Sequence, residues 1–340
     1  MSPGLRRYIV VRILMTIPML LILVTVVFFV LRVIPGDPAL AIMREGASDE
    51  QLDSFRAATG LDQPLHIQYL RYISGVIRLD FGEAMKRSIP VTQEIKTFFP
   101  ATIELAIYSM LVTTTVGIFF GAYAAQHRKT TADYGIRISS IILYSLPIFW
   151  LGLMLQMIFG AQLGWLPVSG RLSAGMTPSP EETITGLYTI DAVLTSNWVL
   201  MRDALLHLIL PSLTLGLVLA GIFTRLTRAN MLDVLEQDYI TAGRARGIWE
   251  RTLVYRHGLR NAFIPIVTLL GLQVALLLAG AILTETTFSW PGLGRLVVQR
   301  IYDRDFTTLQ GTIIFFALIV AGVSLVVDIL YGFLDPRIRY

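Results

Sequence analysis

Four histidines, no cysteine and a few polar groups inside apolar sequence limit the chemistry open to this chain. His66, His127, His207 and His257 are scattered, and none stands at the HExxH spacing that puts two imidazoles and a glutamate on one helix face. The absence of cysteine removes disulfides, thiolate zinc sites and thiol nucleophiles together. No GxxxxGK[ST] run is present to cradle nucleotide phosphates. The polar residues that interrupt apolar sequence are Glu104, Gln273, Thr284 and Glu285. At membrane depth such groups are costly, so they either line a pathway or pair across helices. For Glu104, a few residues into its apolar segment, reaching the outer interface is an equal alternative. No paired carboxylates lie deep in one apolar segment, which argues against an ion-coupled secondary transporter. A membrane-embedded hydrolase would need a nucleophile with a base, or a metal set, and neither is legible.

The other chemistry-bearing stretch is DYITAGRARGIWERTLVYRHGLRNA, residues 238–262, with Arg244, Arg246, Arg251, Arg256 and Arg260 between two strongly apolar segments. It fits a docking surface on the basic side of a membrane. The surrounding composition agrees, with 54% hydrophobic residues, 15% charged and mean hydropathy +0.64. Soluble domains carry about 25% charged residues, so this is an all-α polytopic membrane protein. The net charge of +4 is spread by loop and not on one face, which excludes a nucleic-acid partner.

The elements that must position these residues are six spans, at about 8–31, 99–125, 137–161, 204–227, 261–284 and 307–331, each near the ~20 residues a bilayer crossing needs. The first is too long for a signal-peptide core and reads as an uncleaved helix, with Pro18 as a tolerated kink. Residues 32–97 form a small external helical lobe. Ser48 with Gln51 makes a capping box, Gly60 ends that helix, and Pro64 opens a second one running towards Leu79. The loop 162–203 is rich in Gly, Pro, Ser and Thr and should be irregular, with one short helix at most. Small residues repeat four apart (Gly117 and Gly121, Gly216 and Ala220, Gly271 with Ala275 and Ala279) and permit close helix packing.

Charge asymmetry sets the orientation. The side holding 126–137, 225–260 and both ends carries 14 basic residues against seven acids. By the positive-inside rule that side, with both termini, is cytoplasmic, and 228–260 is a cytoplasmic loop.

The 238–262 run resembles the coupling loop of ABC importer permeases, in which a small-residue triplet is followed after three residues by Gly. Here Thr241-Ala242-Gly243 is followed by Arg244-Ala245-Arg246 and then Gly247, with Thr241 replacing the acid often found there. Two short helices broken near Gly247 would offer a knob to a partner's cleft. Further stretches resemble the dipeptide, oligopeptide and nickel group of these permeases: Arg32 to Pro38 (RVIPGDP), GLDQP (60–64), LPIFW (146–150), PVSGR (167–171), 277–295 and 328–340. The loop through TGLYTIDAV (185–193) is nearest in length to that of dipeptide permeases.

The resemblance implies a type I ABC importer permease fold in a bacterial inner membrane. It implies transport of dipeptides or short peptides by alternating access, with nickel, glutathione or longer oligopeptides as alternatives within the group. It implies as partners a homologous second permease, two ATPase subunits and an external solute-binding protein, besides the membrane lipid. The chain itself would be no enzyme and hold no cofactor or metal, with ATP and Mg bound by the ATPases. Tyr239, Thr241, Ala242, Gly243, Arg244 and Gly247 would carry the coupling.

Overall fold

In a computed structural model the protein is described over residues 3–33, 48–85 and 89–334. The Ile34–Pro38 part of the RVIPGDP motif and the last residues of the C-terminal motif lie outside these. Helices succeed one another along the chain: α1 (Pro3–Val33), α2 (Asp49–Thr59), α3 (Leu65–Ile77), α4 (Val91–Gln126), α5 (Thr131–Ser145) and α6 (Ile148–Leu155). After a longer loop come α7 (Tyr188–Leu194), α8 (Trp198–Leu235), α9 (Asp238–Ala245) and α10 (Glu250–Thr252). The chain closes with α11 (Leu259–Thr287), α12 (Leu293–Tyr302) and α13 (Phe306–Leu334). Among the described residues the only extended pairing is an isolated bridge, Glu83 to Pro90.

Among the described residues four helices are long and apolar enough to cross a membrane: Ile9–Val30 of α1, α4, α8, and Phe306–Val327 of α13. The segment 137–161, read from its hydrophobicity as one span, is not a straight helix. It is two, α5 and the α6 stretch ending at Gln162, bent by 104°. The cause is Leu146-Pro147. The proline ring disfavours helical geometry at the residue before it, and Leu146 is extended, with φ −75° and ψ 134°. Counted as one broken span, the pair makes five. α11 covers the apolar segment 261–284.

The chain divides into two compact units. The first comprises residues 1–100 and 291–325. Ser48 caps α2 with a reciprocal bond pair to Gln51 (3.3 and 3.1 Å), and Gly60 ends that helix at φ +70°, a backbone angle suited to glycine. α3 then starts at Leu65 behind Pro64. Phe28 of α1 is buried against Tyr69 and Tyr72 of α3, with ring centroids 5.3 and 5.4 Å apart. Val91 and Ile95 at the start of α4 pack on Leu293 and Leu296 of α12. The α12 helix was not anticipated in the sequence. It buries Arg300, which pairs with the equally buried Glu94, so two charges share one enclosed site.

The second unit comprises residues 101–290 and 326–339. Its centre is α8, whose 38 residues span roughly 57 Å at the rise of an α-helix. α4 crosses α8 at backbone contact. A methyl added at Gly121 would lie 2.5 Å from Thr227 Cβ, and one at Gly216 would lie 2.7 Å from Val112 Cβ. Gly117 faces Phe223 in the same way. The close approach lets the Thr113 hydroxyl donate across helices to the Gly216 carbonyl (3.1 Å). In lipid, where no hydrophobic force drives helices together, such van der Waals contact and hydrogen bonding hold them.

Because that crossing has no slack, replacing Gly121 with Leu should force the helices apart, at a cost of about 1–3 kcal/mol by overpacking. Thermal unfolding of the detergent-solubilised protein measures this. Gly135→Leu, where an added Cβ meets nothing within 4 Å, is the comparison. Equal melting of the two variants would contradict the account.

Candidate functional site

The basic run 238–262 folds as a compact knob on the ends of three helices. α9 terminates in a closed turn: Gly247 N–H donates to the Arg244 carbonyl (3.0 Å) and Ile248 N–H to the Gly243 carbonyl (3.1 Å). This double closure requires a left-handed residue after the helix end, and Gly247 supplies it at φ +74°. The chain then enters α10 and a wide π turn, Leu253–Gly258, that leads into α11. Beneath the knob, Ile240, Leu253 and Val254 are buried with Ala122 and Ala125 of α4, Met231 and Leu235 of α8, and Ala262 of α11.

The six residues expected to couple to a partner therefore divide by direction. Tyr239, Thr241, Ala242 and Arg244 face outward. Gly243 does not: it is buried, and a Cβ there would stand 2.6 Å from Leu253 Cδ2. Its smallness closes the knob on its own core. Tyr239 is steadied by Asn261, whose amide donates to the phenol oxygen at 2.7 Å. Arg244 grips Glu250 through two hydrogen bonds, 3.1 and 2.7 Å, across the Gly247 turn. The hydrogen bond from Arg244 holds the Glu250 carboxyl below the usual carboxylate range, against a weaker upward push from burial. Any stability the pair adds is thus fully present above that range, and is lost only as pH falls through the lowered value. Both side chains are about half exposed, so the pair orients the turn more than it stabilises it.

Sequence reasoning missed Ile248 and Trp249. Trp249 is 83% exposed, an aromatic side chain standing free beside the turn. Two apolar residues set between Arg246 and Glu250 were the available signal, since a solvated basic loop has no use for them.

The polar residues expected within the spans are enclosed. Glu104 is 1% exposed and Arg171, from the loop before α7, 7%. Arg171 donates twice to one Glu104 oxygen (2.9 and 2.6 Å), while Thr189 donates its N–H and hydroxyl to the other (2.8 and 2.7 Å). The guanidinium also lies 3.7 Å from the Tyr188 ring centroid and donates to the Gly186 carbonyl. Glu104 therefore fastens the loop 171–189 to α4, and its carboxylate is fully engaged there. Glu285 is buried and accepts from the Thr102 hydroxyl at 2.6 Å. Thr284 and Gln273 are buried on the same helix. Trp290, also buried, donates its indole N–H to the Ala101 carbonyl at 2.8 Å. At the opposite end of this unit, Asp133 accepts two bonds from Arg228 (2.7 and 2.8 Å) and one from the Lys129 N–H (3.0 Å), tying the 127–130 turn to α8. Among the described residues no group of three His, Cys, Asp or Glu is placed to hold a metal ion.

Residues 117–340 match a family model described as binding-protein-dependent transport system inner membrane component, and residues 5–106 match the N-terminal model of the same systems. The chain is 43% identical to the di/tripeptide transport system permease protein DppB of Pseudomonas aeruginosa, over 92% of this chain and 93% of that one. It is 41% identical to the dipeptide transport system permease protein DppB of Escherichia coli strain K12, over 98% and 99%. It is 39% identical to the glutathione transport system permease protein GsiC of Salmonella paratyphi A, over 98% and 99%.

Breaking one side of the Glu104–Arg171 pair leaves a buried charge without its partner, which typically costs about 3–5 kcal/mol. Glu104→Gln should therefore lower the unfolding temperature sharply, and adding Arg171→Met should recover part of the loss. A Glu104→Gln protein of unchanged stability but impaired transport would instead make this glutamate a pathway residue.

Proposed function

We propose a function from one premise: the chain belongs to the family of binding-protein-dependent transport system inner membrane components. It is one permease subunit of an ATP-driven importer, and it carries dipeptides or short peptides across the bacterial inner membrane by alternating access. Its partners are a homologous second permease, two ATPase subunits that hold ATP and Mg, and an external solute-binding protein. The chain contributes no catalysis and holds no cofactor. In the membrane it makes six spans, with α5 and α6 together as the broken third and α11 as the fifth. Both termini face the cytoplasm.

The observation that carries this reading is the knob. Its outer face presents Tyr239, Thr241, Ala242 and Trp249, while its inner face is packed onto α4, α8 and α11. A surface that is exposed on one side and mounted on three spans on the other is suited to turning a partner's closure into span movement. The chain has no phosphate loop of its own, so the energy must arrive from outside. The peptide substrate is supported by the names of the relatives at 43% and 41% identity. Glutathione is the second reading, on the 39% relative. Uptake of a labelled dipeptide, with glutathione as competitor, separates the two.

Ala242→Trp and Trp249→Asp alter only the outer face. In cells co-expressing all partners, each should cut recovery of the ATPase subunits with the permease by about 30-fold, as loss of a ~2 kcal/mol hot spot does. Peptide uptake should fall with it, at unchanged permease yield. Normal uptake and normal ATPase recovery in both variants would overturn the docking assignment.

A further inference from the structure

A groove of about 290 Å³ runs between α5 and α8 at the end where their apolar segments stop. Arg137, Ser140, Ile141 and Tyr144 line it from α5, a single stripe at helical spacing. Gly221, Ile222, Arg225 and Arg228 line it from α8 in the same manner. Gly221 sets its floor: an added methyl there would stand 2.6 Å from the Ser140 carbonyl, so the two backbones touch.

The charges of the groove are unequal in their partners. Arg228 is neutralised by Asp133 through two hydrogen bonds. Arg137 and Arg225 are exposed; Arg137 feels the same Asp133 carboxylate without forming an ion pair with it, and among the described residues no ion pair is found for Arg225. Arg137 instead lies 5.8 Å from the Tyr134 ring centroid, which adds no negative charge. Three arginines and the one carboxylate of Asp133 thus leave a net positive charge beside a groove whose walls are apolar and uncovered, with Ile141 and Tyr144 both more than half exposed.

Position along the helices gives the depth. Arg137 is the first residue of the apolar stretch that α5 opens, and Arg225 follows directly on the apolar run of α8 that ends at Thr224. Both guanidiniums therefore stand at the edge of the hydrocarbon layer, with the apolar walls of the groove extending inward from them. A headgroup phosphate lies at the same depth, with acyl chains running inward. Basic pockets between spans on the cytoplasmic side are suited to anionic lipid headgroups.

We propose that the α5–α8 groove is a binding site for one anionic phospholipid, its phosphate held by Arg137 and Arg225 and an acyl chain laid along Ile141, Tyr144 and Ile222. The leaflet, cytoplasmic, rests on the orientation under the proposed function. The site itself rests only on the groove. Bound there, the lipid would brace α5 against α8 next to the Asp133–Arg228 tie, one helical turn from where α8 enters the knob's core.

The test uses the whole transporter with its partners, delipidated and then titrated with phosphatidylglycerol, with retained lipid counted by native mass spectrometry. The native protein should keep one phosphatidylglycerol in preference to phosphatidylcholine. Arg137→Gln and Arg225→Gln should each weaken retention about fivefold, the factor for ~1 kcal/mol per basic residue at an anionic surface. Arg137→Lys and Arg225→Lys, which keep the charge, should retain lipid to within about twofold, and Arg202→Gln at the far end of α8 should change nothing. Unchanged retention in the Arg137→Gln, Arg225→Gln double variant would overturn the proposal. So would a raised KM for peptide that is equal in vesicles with and without phosphatidylglycerol, since the arginines would then contact the substrate. Lipid retention is read without transport, so failure of the importer reading leaves this readout standing.

Discussion

The apolar core under the knob is the contact on which the rest of the structure depends. Ile240, Leu253 and Val254 are packed with Ala122, Ala125, Met231, Leu235 and Ala262, so one cluster holds together a surface loop and the ends of α4, α8 and α11. Protein interiors at this density transmit displacement and do not absorb it. Gly243 is part of the same constraint, because any larger residue would lever α9 away from Leu253. The knob is thus one body with the spans, and its exposed residues sit on a rigid mount.

Elsewhere in the same unit, polar fasteners play the matching role. Glu104 with Arg171 and Thr189 ties the loop 171–189 to α4, and Asp133 with Arg228 ties the turn before α5 to α8. Both are enclosed, and in a membrane an enclosed charge persists only with its partner in place. The close α4–α8 crossing at Gly117, Gly121 and Gly216 supplies the third restraint. Together they leave the Leu146-Pro147 break, with its 104° bend, as the place in this unit where the helical path is interrupted within an apolar segment.

What was legible in the sequence was what is set locally. Ser48 with Gln51, the stop at Gly60 and the turn at Gly247 each follow from neighbouring residues, and each is found. The break at 146–147 was equally local, but unbroken hydrophobicity concealed it, because hydropathy reports depth and not direction. The pairing of Glu104 with Arg171 was out of reach, since 67 residues separate them and only folding brings them together. The direction in which Gly243 faces was out of reach for a related reason. Its place in a motif marks it as special, whereas only the packing of Leu253 decides which way it faces. The α12 helix was missed because it is only ten residues long beside a far more apolar span and Arg300 interrupts its apolar face, a burial made possible by Glu94.

The central claim is that movement imposed on the outer face reaches the spans through the Ile240–Leu253 core. The direct measurement is the number of peptides imported per ATP hydrolysed by the reconstituted transporter when that core is hollowed by Ile240→Ala with Leu253→Ala. These residues are buried, so the ATPase subunits should still dock and hydrolyse ATP, while imported peptide per ATP falls at least about tenfold. An unchanged ratio in a folded, fully assembled transporter would contradict the claim.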